Sequence, residues 1–336
     1  MSRTGRYSEK IEKVINTLCP VFRHARKRVE HARQLKEDYN KILKEITDHL
    51  DLDPKHVHID DSLEHYLELE HDKTVSELEV KQRIYLSLPL LQKGFADCFS
   101  FSRPKDPQRL ANKIKTKERN TDDTWGMQLW IADPELMKYL VKLENPQHPL
   151  RKKWEDKGIE VTFNNHCHTP KSHGYRSFHI NFRCPGNNGW TENLEMQISP
   201  EPMMVPYLVT RGPYETYRNI VEYLRDKKGE NEHNWTNKEQ NLVHTLIDYI
   251  YAEFEKGAHK AQIIDMEDSF HEHKHKYANA DQADEKVKEL RPTVEKIINK
   301  MLEYDNNVKM FLENLDDFFG EQQPEEGQES KLELLA

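Results

Sequence analysis

The chain has 336 residues, 36% of them hydrophobic and 32% charged, with a net charge of −9 and a mean hydropathy of −0.94. That is long enough to bury a sizeable core in one or two domains, and polar enough to predict long solvated helices around it. No apolar run approaches the ~18 residues of a membrane span, the start MSRTGRYSEK lacks the apolar stretch of a signal peptide, and the acidic total argues against a broad nucleic-acid-coating surface, so a cytoplasmic protein without membrane contact is expected.

From Tyr7 to about Leu52, apolar residues recur at helical spacing, among them Ile11, Val14, Leu18, Ala25, Val29, Ala32, Leu35, Ile42, Leu43 and Ile46. This predicts a long helix or pair of helices with one apolar stripe, kinked or broken at Pro20. Residues 53 to 74 read as irregular, and a second helical stretch runs from about Val75 to Lys93. Between Asp97 and Ser199 short β-like runs alternate with turns and helical material: Asp97 to Arg103, Thr124 to Ala132, Gly158 to Asn165, Tyr175 to Cys184 and Thr191 to Ser199. Five strands with helices between the first and third predict an α+β fold with a sheet domain. From Pro200 the chain turns helical again. Thr236 to Glu239 has the form of a capping box, and a further helix runs from about Ala283 to Phe319 with a kink near Pro292. Helical extensions thus occupy residues 1–95 and 221–320 around a sheet domain at 96–220, and the acidic tail 321–336 is expected to be disordered. The four cysteines, Cys19, Cys98, Cys167 and Cys184, form no CxxC pair and read as free thiols.

The chemistry concentrates between Pro170 and Ser199. Along one strand Tyr175, Ser177, His179 and Asn181 alternate with Arg176, Phe178, Ile180 and Phe182; the cluster from Pro185 to Gly189 turns the chain, and Glu195 and Gln197 then alternate with Leu194, Met196 and Ile198. If the polar faces coincide, a phenol, an imidazole, a carboxylate and an amide converge, with Lys171 arriving from the preceding loop. Such a set suits phosphate chemistry: an aromatic ring for a base, a carboxylate for magnesium or for a hydroxyl proton, and cations for phosphate charge. A second element, FSRPKDPQRLANKIKTKERN at residues 101–120, places Arg103, Lys105, Arg109, Lys113, Lys115, Lys117 and Arg119 on a loop and short helix suited to a triphosphate. Asp122 and Asp123 follow at the mouth of the next strand. His166, Cys167, His168 and His173, and the run FHEHKHKY, lack zinc-type spacing and read as loop and linker residues.

In order, the elements are RPK, a helical lysine, DxxGxQ, PKxxGYRSFH and LEMQIS, and together they resemble the synthetase domain of RelA/SpoT-type alarmone synthetases over roughly residues 97–220. PYETYR at residues 213–218 is similar to the tyrosine, glutamate and arginine that follow the last strand in compact members. Gln128 stands where that family usually has arginine. The resemblance implies a mixed sheet of nucleotidyltransferase type and a Mg2+-dependent transfer of the β,γ-diphosphate of ATP to the 3′-hydroxyl of an acceptor nucleotide, with release of AMP. It implies Asp123 and Glu195 as catalytic residues and magnesium ligands, Glu195 also drawing the hydroxyl proton. Arg103, Lys105 and Lys113 would hold the ATP phosphates, and Lys171, Tyr175, His179 and Gln197 would bind the acceptor, Tyr175 by stacking on its base. GDP or GTP is the first expectation for the acceptor. ADP, ATP or the 3′ end of tRNA, as in toxin-type members, is one alternative, and an inactive nucleotide-binding or interaction module is another. The helical extensions are expected to regulate the domain, to bind a neutralising partner or to hold a homo-oligomer. His71 and Asp72 resemble the dyad of the family's hydrolase domain without its companion residues, so no hydrolase activity is expected.

Overall fold

The structure is a computed structural model and describes residues 20–60, 77–105, 107, 110, 111, 113, 114, 124–167, 169–185, 191–263 and 276–315. Among them lies a mixed six-stranded sheet flanked by helices, an α+β architecture. The strands are β1 (Val57–Asp60), β2 (Cys98–Pro104), β3 (Trp125–Ile131), β4 (Glu160–Asn165), β5 (Phe178–Pro185) and β6 (Thr191–Pro200), in the spatial order β1-β2-β3-β6-β5-β4. β1 and β2 run parallel, as do β3 and β6; the remaining neighbours are antiparallel.

The sixth strand corrects the expectation of five. β1 falls inside the stretch read as irregular, because four residues are too few to carry an alternating pattern, and its extended state comes from pairing with β2 some forty residues later.

One face of the sheet carries the core. Trp125, Met127 and Leu129 of β3 register with Leu194, Met196 and Ile198 of β6, which register in turn with Phe182, Ile180 and Phe178 of β5, and all nine are buried. Each such side chain contributes roughly 1.5–3 kcal/mol by leaving water. Helices α1 (Pro20–Gln34), α2 (Lys36–His49), α4 (Met137–Val141) and α5 (Pro149–Glu155) contribute further buried residues. Trp154 of α5 meets Phe182 edge-on at 5.1 Å, and its indole N–H donates to Glu45 of α2 at 2.6 Å. α1 and α2 separate at Leu35 (φ −88, ψ 9); α1 begins at Pro20, and the residues before the expected break there lie outside the described ones. α3 (Glu77–Gln92) follows β1 in the chain and contacts β2.

Over the other face lie α6 (Met204–Lys228) and α7 (Asn237–Lys260). A 3-10 turn at Glu201–Met203 carries β6 straight into α6, whose Tyr207 ring packs against Trp130 of β3 at 5.6 Å. α7 opens with the expected capping box, Thr236 with Glu239. It packs so tightly that a Cβ added at Gly257 would lie 2.6 Å from the Pro206 ring. α8 (Ala280–Glu303) covers α7, and the fully buried Glu253 accepts from Tyr249 at 3.3 Å and pairs with Lys256 at 2.7 Å and Arg291 at 3.3 Å, the compensation that a buried carboxylate needs. Pro292 lies inside α8 without ending it. The break comes instead at Asp305 and Asn306, both left-handed (φ 50 and 59), before α9 (Val308–Glu313), so the single helix expected to Phe319 is two. Among the described residues no helix is long and apolar enough to cross a membrane.

Candidate active site

The face opposite the strand core carries the polar alternates, and register alone arranges them in two rows. In one row His179 of β5 pairs with Gln197 of β6, Gln197 with Gln128 of β3, and Gln128 with Phe101 of β2. In the next, Asn181 pairs with Glu195, Glu195 with Gly126, and Gly126 with Arg103. Neighbouring strands lie about 4.8 Å apart, so Arg103 stands roughly 10 Å from Glu195 with a residue lacking a side chain between them. A Cβ built at Gly126 would meet nothing within 4 Å. The gap is open to a cavity of about 950 Å³ lined by Arg103, Lys105, Lys113, Lys171, Tyr175, His179, Glu195 and Gln197, and walled on the far side by α6 and by Phe254 of α7.

The predicted hairpin residues are joined by hydrogen bonds. Gln197 Nε2 donates to Glu195 Oε2 at 2.8 Å, and His179 Nδ1 lies 3.2 Å from Glu195 Oε1. The Tyr175 hydroxyl donates to Gln197 Oε1 at 3.2 Å and lies 3.1 Å from His179 Nε2. Burial raises the phenol pKa well above 10, so Tyr175 enters any chemistry as a neutral hydroxyl. The Lys171 ammonium sits over its ring, 5.1 Å from the centroid, and Phe254 meets the ring edge-on at 5.5 Å. Tyr175 precedes the ladder, which begins at Phe178 rather than at residue 175. Its position is fixed by the turn before it, where Gly174 N–H donates to Lys171 O at 2.7 Å and Lys171 N–H to Tyr175 O at 3.1 Å. His166 packs against His179 with ring centroids 4.9 Å apart. Burial first, then the charges of His179 and Lys171, bring its pKa down to about 4, so it is a neutral neighbour at pH 7. His173 is brought to about 4 in the same way, by burial and then by Lys171.

On the other side of the gap, Arg103 is the last residue but one of β2 and Lys105 follows the strand, its backbone N–H bonded to Thr124 O at 3.0 Å. Lys113 belongs to a helical segment whose Leu110 and Ala111 are buried against Ala25 and Val29 of α1. The N-terminal helix therefore seats the predicted phosphate-binding lysine. Asp122 and Asp123, with Arg109, Lys115, Lys117, Arg119, His71, Asp72 and the histidines of FHEHKHKY, lie outside the described residues.

Two polar side chains of this stretch serve structure. Ser177 is fully buried and donates to Ile198 O at 2.9 Å, and Arg176, on the apolar parity, is 1% exposed and donates to Cys167 O at 2.8 Å. Of the α6 wall the sequence reading held only PYETYR, which contains Tyr214 and Arg218. Tyr207, Thr210, Arg211, Tyr214, Arg218 and Glu222 all line the cavity, at steps of three or four residues that form one helical face. Glu215 bridges Arg211, at 3.3 Å, and Arg218. The spacing was readable, but a polar helical face ordinarily meets solvent, and nothing in the sequence says that this one meets a cavity. Gln128 was noted only as a missing arginine. It donates through Nε2 to Gln197 Oε1 at 3.2 Å and to the Tyr207 hydroxyl at 2.8 Å.

Among the described residues no three His, Cys, Asp or Glu side chains cluster as a ready metal cage. A carboxylate on the cavity floor among lysine and arginine side chains is nonetheless the donor set that magnesium uses when substrate phosphates supply its other ligands, and Glu195 fits that role. No protein-family model matches the chain, and no curated protein matches it.

Proposed function

We propose that the protein is an ATP-dependent pyrophosphokinase with a sheet domain of nucleotidyltransferase type, transferring the β,γ-diphosphate of ATP to the 3′-hydroxyl of an acceptor nucleotide, GDP or GTP first, and releasing AMP. The observation that carries the reading is the division of one cavity. Arg103, Lys105 and Lys113 stand on one side of the Gly126 gap, and Lys171, Tyr175, His179 and Gln197 on the other, with Glu195 beside the gap. A volume of about 950 Å³ is at the upper end for a single small ligand and suits two nucleotides meeting end to end.

In this reading a Glu195 oxygen takes the proton of the acceptor's 3′-hydroxyl as that oxygen attacks the β-phosphorus of ATP. The bond from the β-phosphorus to the oxygen bridging it to the α-phosphorus breaks, and the electron pair leaves on AMP. Arg103, Lys105 and Lys113 neutralise the charge that gathers on the donor phosphates, in positions set before reaction. Lys171, His179 and Gln197 hold the acceptor's phosphates and ribose, and its base comes to the Tyr175 ring by displacing the Lys171 ammonium that lies there. Glu195, with Asp123, would hold magnesium, which would supply further charge neutralisation at the phosphates.

The test is incubation with magnesium and γ-labelled ATP, alone and with GDP, GTP, ADP or bulk tRNA, beside Glu195→Gln. The reading requires label on one acceptor, AMP released in equal amount, and a loss of at least 100-fold in the variant. Nucleotide binding with no transfer to any acceptor would replace the enzyme by a binding module.

A further inference from the structure

The amide of Gln197 joins Tyr175 to Glu195 along β6, beside the link that His179 makes from β5, and its sense matters. With Oε1 toward Tyr175 its Nε2 donates to Glu195; turned over, Oε1 would face the carboxylate and its lone pairs would oppose those of Glu195. Tyr175 does not fix the sense, because a hydroxyl can donate or accept and would bond either end of the amide. Gln128 does fix it. Its Nε2 can only donate, and it lies 3.2 Å from Gln197 Oε1 in the register pair directly beside it. Turning Gln128 over would set its Oε1 against Gln197 Oε1, acceptor against acceptor, so the two amides fix each other's sense; Tyr207 adds from α6 a hydroxyl that accepts from the same Nε2 at 2.8 Å, with its ring held edge-on to Trp130 at 5.6 Å. Tyr207, Gln128, Gln197 and Glu195 thus form one hydrogen-bonded chain from α6 to the carboxylate.

We propose that Gln128 is a positioning residue, held by Tyr207, that fixes the Gln197 amide so that it donates to Glu195 and keeps that carboxylate aimed into the cavity. This rests on the reading of Glu195 as the group that receives the acceptor's proton. It also gives the glutamine a role that a cation at this position would fill differently. A guanidinium is likewise donor-only, but it would add charge to the cavity floor, whereas the amide orients its neighbour without adding any.

The test uses the full chain with Gln128→Met, Gln128→Glu and Tyr207→Phe. Methionine keeps the length and removes the donor, glutamate places an acceptor against Gln197 Oε1, and phenylalanine removes one hydroxyl. Two readouts are taken: kcat and KM for each nucleotide, and the side-chain amide resonances of Gln197, assigned by comparison with Gln197→Met in glutamine-labelled protein. Expected are a fall in kcat of about 10-fold for Gln128→Met and more for Gln128→Glu, with both KM values within about twofold of the parent, and a smaller fall for Tyr207→Phe. The Gln197 amide resonances shift in all three. An unmoved Gln197 amide in Gln128→Glu overturns the proposal, as does a change confined to the KM of one nucleotide, which would make Gln128 a ligand contact. The resonances read positioning whether or not transfer occurs, so a protein that transfers nothing yet shows the coupled amide shifts would sink the enzymatic reading while leaving the orientation by Gln128 in place. Should Gln128→Met fail to fold, Tyr207→Phe, which leaves the ring packing intact, decides by the same shifts.

Discussion

Gly126 is the residue on which the geometry of the candidate site turns, because it does by absence what its neighbours do with side chains. Glycine within a strand ordinarily costs roughly 0.5–1 kcal/mol against alanine, and nothing near Gly126 requires one: its φ is not positive and an added methyl meets no atom within 4 Å. What the methyl would occupy is the cavity between Arg103 and Glu195. Gly126→Ala should therefore melt at the parent temperature or slightly above while losing at least 10-fold in transfer rate, measured by thermal melting beside AMP release. A variant that melts lower, or one that keeps full activity, would show that the gap is not where the substrates meet. Stability and activity moving in opposite directions are hard to obtain from a residue whose role is packing.

At the scale of elements, α1 is fastened to the back of the sheet by a charge in an unusual place. Glu192 of β6 is fully buried; its Oε1 lies 3.2 Å from His31 Nδ1, and the buried Arg28 of the same helix acts on it. Burial raises the carboxyl from an ordinary 4.5 to about 7, against the opposing pull of Arg28. With the folded value above the unfolded one, this group costs nothing below about pH 4.5, costs more as the pH rises, and weighs in full above about pH 7. Glu192→Gln should accordingly raise the melting temperature at pH 8 by a few degrees, for a gain on the order of 2 kcal/mol, and change it little at pH 4.5. An equal shift at both pH values would assign the effect to packing instead. The same element shows what the sequence could and could not disclose. The apolar stripe of α1 was readable from its spacing, and so were the strands of the hairpin and the capping box of α7, since each is a local pattern. Glu192 was not: on parity it belongs with Leu194 and Met196, and only a helix lying more than 150 residues earlier in the chain explains a carboxylate there. β1 failed for the same reason, being a strand only by virtue of its partner. The rows His179–Gln197–Gln128 and Glu195–Gly126–Arg103 lay between. The order of motifs pointed to their convergence, but register, which no single strand encodes, decided that glycine would stand between the arginine and the carboxylate.

Over the whole molecule, the C-terminal helical region supplies part of the cavity wall. Phe254 of α7 lines the site against Tyr175, and the loop that presents Lys171 passes Tyr251 of α7 so closely that its turn residue can only be glycine. Gly174 has φ +79, and a Cβ there would stand 2.9 Å from the Tyr251 Cα, a backbone atom that cannot swing aside. Left-handed strain of about 1–2 kcal/mol then adds to the cost of overpacking, also roughly 1–3 kcal/mol. Gly174→Ala should lower the melting temperature measurably and, because the turn holds Lys171 and Tyr175 on the acceptor side, should raise the KM for the acceptor several-fold more than the KM for ATP. The proposed donor cations lie at the end of β2, just after it, and on the helical segment seated by α1, remote from that contact in the chain and on the other side of the Gly126 gap. Equal rises in both KM values would mean that α7 supports the cavity as one body, with no division into donor and acceptor sides. An unequal rise in the other direction, falling on ATP, would exchange the two sides and reverse the assignment of Lys171 and Lys113. Binding of each nucleotide alone to the variant, measured by calorimetry, separates these outcomes without relying on turnover.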